Sequence, residues 1–234
     1  MAITAANLTN AVDASSVSTY TTASISPGAS KLDIVSVESF FAGTSTVPTV
    51  TGASGTWTQI ATVTDSSGNR RVTLFRDLSA SPGSGALTID FAGQVQTTIA
   101  WSIDEFSGTD TTGTHGSGAL VQSVTHATTS GATTGFTITL AALGSANNAA
   151  YGALRNNAGG AVTAGTGFTS LSNQTAGSLV MAAEWAINKT AVAWTWASQT
   201  VISVGVAIEI KAFVAAAAQT YIQAPYSLMP DPAW

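Results

Sequence analysis

The chain has no cysteine, which excludes disulfides, thiolate metal sites and cysteine nucleophiles together. Charge is nearly as scarce: Asp, Glu, Lys and Arg make up 8% of 234 residues, and only seven are Lys or Arg. With no basic run to track phosphates, nucleic-acid binding is not expected. Histidine occurs twice, at His115 and His126, so acid–base chemistry near neutral pH has few carriers. No apolar run approaches the length of a membrane span; Val201 to Ile210 is interrupted by Ser203, Gly205 and Glu209. The start, Met-Ala-Ile-Thr-Ala-Ala-Asn, lacks the basic and apolar regions of a secretory signal, and synthesis and folding in a cytoplasm are the expectation.

What is present is apolar and β-forming. Hydrophobic residues make up 45% of the chain, too many for a disordered one. Short runs of Val, Ile, Thr and aromatics alternate with Gly, Ser, Asn and Pro clusters, a pattern that predicts an all-β sandwich or barrel. Strands are expected at 17–25, 31–41, 57–64, 70–78, 86–91 and 96–106, and then at 119–126, 136–140, 149–155, 168–171, 178–186, 191–197 and 200–211. Asp65-Ser-Ser-Gly68-Asn69 reads as a hairpin loop.

The two series are copies of one plan. Ala53-Ser-Gly-Thr-Trp57-Thr-Gln-Ile60 precedes a strand and a long final strand, as does Ala164-Gly-Thr-Gly-Phe168-Thr-Ser-Leu171. The division expected is an N-terminal segment 1–13, a first β repeat 14–108, a connector 109–118, a second repeat 119–212 and an extended tail 213–234. The connector, free of large apolar residues, is expected at the surface. The sequence leaves two readings open, two small tandem sandwiches or one larger sandwich built by both copies, and the shortness of each copy favours the second.

Candidate chemistry is thin. No Gly-x-Ser-x-Gly elbow, phosphate loop or metal-ligand spacing occurs, so no catalytic residue, metal or cofactor is expected. Asp104 and Glu105 are neighbours on a strand and point to opposite faces. Glu209 holds the equivalent place in the second copy, which suggests a repeated structural role. Asp65 and Asn69 suit an Asx-type turn better than a calcium site. Trp194 and Trp196 share one face of a strand; exposed they would form a carbohydrate platform, buried they would be core.

The tail differs from the body. It concentrates three of the six prolines, with Tyr221, Ile222, Pro225, Tyr226, Leu228, Met229, Pro230 and Trp234 as apolar contacts for a partner. Proline disfavours a continuing sheet ladder and favours extended backbone.

The patterns Lys31-Leu-Asp-Ile-Val-Ser-Val, Gly55-Thr-Trp57-Thr-Gln-Ile, Val72-Thr-Leu-Phe-Arg76, Leu87-Thr-Ile-Asp-Phe91 and Glu105-Phe-Ser-Gly108 carry a resemblance. Over about residues 14 to 211 the chain resembles a β-sandwich, jelly-roll-like family found among tailed-phage virion proteins and bacterial surface proteins. The resemblance implies an antiparallel sandwich and brings no catalytic residues. The function expected is that of a non-enzymatic virion protein, a phage capsid decoration (cement) protein attached through its tail. Its partners would be the major capsid protein or neighbouring copies, as a homo-oligomer within the particle, with no nucleic acid or membrane. The alternative is a carbohydrate-binding adhesin module of a tail fibre or cell surface.

Overall fold

The computed structural model describes residues 2–128, 133–157, 161–177, 179–200 and 202–215. The first copy contains β1 (Thr4–Asp13), β2 (Thr19–Thr21), β3 (Leu32–Phe40), β4 (Thr49–Gly52), β5 (Thr58–Thr64), β6 (Arg70–Leu78), β7 (Leu87–Asp90) and β8 (Thr98–Ser107). The second contains β9 (Leu120–Ala127), β10 (Thr133–Thr139), β11 (Ala149–Asn156), β12 (Thr163–Ala164), β13 (Thr169–Ala176), β14 (Leu179–Ile187), β15 (Ala191–Thr200) and β16 (Ser203–Ile210). The fold is an all-β, antiparallel sandwich architecture of jelly-roll type.

Sheet order makes the duplication explicit. A five-stranded sheet β1-β8-β3-β6-β5 faces a three-stranded sheet β2-β7-β4, and β9-β16-β11-β14-β13 faces β10-β15-β12 in the same relation. Each copy crosses between its two sheets at every connection except the β5–β6 and β13–β14 hairpins. In the first hairpin the Asp65 carbonyl accepts from Gly68 N–H at 3.0 Å, and Gly68 supplies the left-handed turn residue (φ 74°).

Each copy has its own core. Tyr20, Ile89 and Phe91 meet Val35, Phe75, Trp101 and Ile103 in the first; Phe136, Val192, Trp194 and Trp196 meet Leu154, Val180 and Ala207 in the second. A further apolar layer lies between the two large sheets, where Leu32, Ile34, Val72, Leu74 and Phe106 pack on Tyr151, Ala153, Val204, Val206 and Ile208. The expectation of one sandwich shared by both copies is therefore corrected: there are two, one per copy, stacked through their large sheets into four layers. The physical reason is that β8, β11 and β16 are buried on both faces, so a single partner sheet cannot cover them. Burial of a large apolar side chain contributes about 1.5–3 kcal/mol, so this middle layer is a major stabilising contact.

Two boundaries also move. Of the expected N-terminal segment 1–13, Thr4–Asp13 is not outside the repeat: it forms β1, an edge strand paired to β8 and the counterpart of β9. Its Ala, Asn and Thr residues carry little strand signal, and the pairing comes from the exposed edge of β8. The connector is only partly at the surface. Thr109, Asp110 and Gly116 are buried, and the Arg76 guanidinium donates from Nε to the His115 carbonyl at 3.1 Å.

Candidate functional site

Polar groups that a sandwich does not need for folding are the first places to look for function. Three carboxylates form a row across the first large sheet. Asp33 on β3 sits directly beside Asp77 on β6 and Glu105 on β8, and all three are buried. Burial pushes the central Asp33 carboxyl up to about 8, with Glu105 and Asp77 adding to the effect and Lys31 opposing it. Lys31 Nζ lies 2.5 Å from Glu105 Oε1, the Gly28 N–H also donates to Glu105, and His115 Nδ1 lies 3.4 Å from Asp77 Oδ1. In the second copy the positions of Asp33 and Asp77 are Ala150 and Ala186, and only Glu209 remains. The row thus belongs to the first copy alone. Sequence reading missed it because each acid lies near the end of its own strand, and only the order β8-β3-β6 makes them neighbours. Among the described residues no group of three His, Cys, Asp or Glu side chains is arranged to hold a metal ion.

Glu105 and Glu209 do share a role. Glu209 accepts from Gly144 N–H at 2.8 Å, Asn148 Nδ2 at 2.6 Å and Gln122 Nε2 at 2.7 Å, as Glu105 accepts from Gly28. Each glutamate ties the loop before the third strand of its copy to the last strand.

The opposite face of β8 carries Asp104 into the seam between the large sheets. It accepts from Asn7 Nδ2 at 2.8 Å, Tyr151 Oη at 2.9 Å and Ser102 Oγ at 3.0 Å. Burial pushes Asp104 up to about 6 even though these donors favour its charged form. Asn10 donates to Asn7 at 2.6 Å and Gln174 donates to Asn10, so a hydrogen-bond chain runs from β13 through β1 to β8 and β11. Such a network fixes the relative setting of the two copies. Glu38 and Arg155 are also buried in this seam.

The residues singled out from sequence fall as follows. His126 donates from Nδ1 to the Thr137 carbonyl (2.9 Å) and stacks on Phe136 with centroids 4.7 Å apart. His115 is held beside Asp77. Asp65 closes its hairpin by accepting from Ser67 Oγ and Arg70 Nη1 at 2.8 and 2.9 Å. Trp194 and Trp196 are 1% and 5% exposed, and Trp196 Nε1 donates to the Thr133 carbonyl at 2.9 Å. The carbohydrate-platform reading is corrected on that point, because both rings fill the second core. Tyr221, Ile222, Pro225, Tyr226, Leu228, Met229, Pro230 and Trp234 lie outside the described residues.

The root of the tail is described. Lys211 to Phe213 is fastened by four hydrogen bonds: Asp110 N–H to the Lys211 carbonyl (2.9 Å), Lys211 N–H to Ala119 (2.8 Å), Phe213 N–H to Gly108 (2.8 Å), and Ala212 N–H to Asn148 Oδ1 (3.0 Å). The Phe213 side chain at the end of this clamp and Val214 beyond it are exposed, at 41% and 75%. A cavity of about 440 Å³ bordered by Leu120, Val121, Ala212 and Val214 lies on one side, and one of about 280 Å³ bordered by Lys31, Gly108 and Phe213 on the other. Compared with protein-family models, curated proteins and solved structures, the chain has no match.

Proposed function

We propose that this chain is a non-enzymatic structural protein of a virus particle, a capsid decoration protein of a tailed phage that attaches through its C-terminal tail. The observation that carries the reading is the clamp at Lys211–Phe213. Both copies and the connector contribute to it, so the tail departs from a point tied to all three. An extended chain from Ala215 to Trp234 reaches about 60 Å, enough to cross a neighbouring subunit. Its aromatic and aliphatic side chains are the kind that anchor interfaces. The partner is the major capsid protein or an adjacent copy.

The low charge and the local roles of His115 and His126 are consistent with a scaffold. The adhesin reading has no observation in its favour once Trp194 and Trp196 are placed in the core.

Deleting Thr220 to Trp234 tests the proposal. The shortened chain is expected to keep its far-UV circular dichroism and melting temperature and to lose sedimentation with tail-compatible particles. Normal decoration by the truncated protein would end the docking-arm reading.

A further inference from the structure

A cavity of about 270 Å³ opens at the end of the seam farthest from the connector, where β3 ends and β6 begins in one copy and β11 ends and β14 begins in the other. Its walls include Phe40, Thr98, Ala176 and Leu179, with the guanidinium groups of Arg70 and Arg155. Both arginines lie over the Phe40 ring, 5.5 and 5.7 Å from its centroid. Cations stacked this way around one ring repel each other unless negative charge is supplied.

Little of that charge comes from the protein. Arg70 Nη1 is engaged by Asp65 Oδ2 at 2.9 Å and Asn69 Oδ1 at 2.8 Å, which accounts for Asp65. Arg155 is 3% exposed, yet its Nε and Nη1 have no acceptor among the described residues. Glu38 shares the seam and attracts Arg155, but both its oxygens are likewise without partners and no ion pair joins the two. Burial holds Glu38 well above the usual carboxylate range, with Asp104 adding to this, so its neutral form is favoured. Burial, and then the Arg70 charge, bring Arg155 down to about 9, with Asp65 and Glu38 pulling the other way without hydrogen-bonding to it. A buried guanidinium in this state is costly, and a planar oxyanion is the group whose geometry answers it.

We propose that this cavity binds a small monovalent carboxylate, its oxygens accepting from Arg155 and its short apolar body lying against Phe40 and Leu179. One negative charge balances Arg155 once Asp65 is assigned to Arg70. The site requires both copies, since Phe40 and Arg70 come from the first and Arg155 and Leu179 from the second. It is independent of the attachment role assigned to the tail.

Butyrate, acetate and inorganic phosphate, each titrated into the full-length protein against sodium chloride of equal ionic strength, provide the test. Butyrate is expected to raise the melting temperature saturably by a few degrees, more than acetate or phosphate. The Arg155 Nε–H resonance should move along the same saturation curve, and Arg155→Met should abolish the thermal response. Equal responses to butyrate and chloride, or to butyrate and phosphate, would overturn the carboxylate assignment, as would an undiminished response in Arg155→Met. If that variant does not fold, the wild-type resonance decides: an Arg155 signal unmoved by butyrate rejects the site.

Discussion

Gly152 shows how closely the second copy is packed around one large side chain. A Cβ at this position would stand 2.4 Å from Val192 Cγ1 and 2.7 Å from Trp194 Cη2. The large sheet therefore approaches the small one through a missing side chain, and the Trp194 ring occupies the space. Gly152→Ala is expected to cost about 1–3 kcal/mol by overpacking, read as a lower urea midpoint with unchanged m-value. A neutral result would mean that Trp194 shifts freely, contrary to its burial. Position alone made Trp194 and Trp196 legible as one face of a strand. Sequence did not decide between core and platform, because both readings put the two rings on the same side. The glycine across the sandwich decides it.

At the scale of elements, strands with strong alternation were readable and weak ones were not. Arg70–Leu78 agrees with its expected bounds, and Ala191–Thr200 begins where its Val and Trp parity begins. Thr49–Gly52 and Thr163–Ala164 are short, carry little periodicity, and exist because the third position of each small sheet needs a strand. The strand β1 is the sharpest case. Its residues are half-buried and small, and its role follows from pairing with β8 and from the Asn7 and Asn10 contacts to Asp104 and Gln174. Removing residues 2–13 should uncover the β8 edge and strip two donors from the seam. The expected outcome is loss of soluble monomer on size-exclusion chromatography together with a lower melting temperature. An unchanged elution profile and melting curve would place β1 outside the cooperative body.

For the whole molecule, the buried acids set an unusual dependence of stability on pH. Asp104, Glu184 and Asp33 have values of about 6, 7 and 8 in the folded chain, against 3.8 or 4.5 when unperturbed, with burial as the main cause. A raised value means that the folded state holds the proton more tightly. The corresponding stability is complete below the unfolded value and is lost as pH rises through the folded one. Asp110 acts in the opposite sense. Hydrogen bonds from Lys211 and Thr112 hold it down to about 2, so its contribution is present above 3.8 and lost as pH falls. The melting temperature should therefore peak near pH 4–5, by order-of-magnitude reasoning, and decline toward pH 8. Asp33→Asn should flatten the upper part of that decline. A profile that rises steadily from pH 5 to 8 would contradict the raised value of Asp33.

The sequence by itself determined the β class, the parity of the strong strands, the duplication and the distinct character of the tail. These rest on local properties: a two-residue side-chain period, turn residues and the repetition of both along the chain. Only the tertiary structure decided that each copy closes its own jelly roll, that the large sheets cover each other, and that Asp33 lies between Asp77 and Glu105. The reason is that strand neighbours in a jelly roll are remote in sequence. Asp33 meets Glu105, and Phe40 meets Arg155, because of sheet order and stacking, which no local pattern encodes.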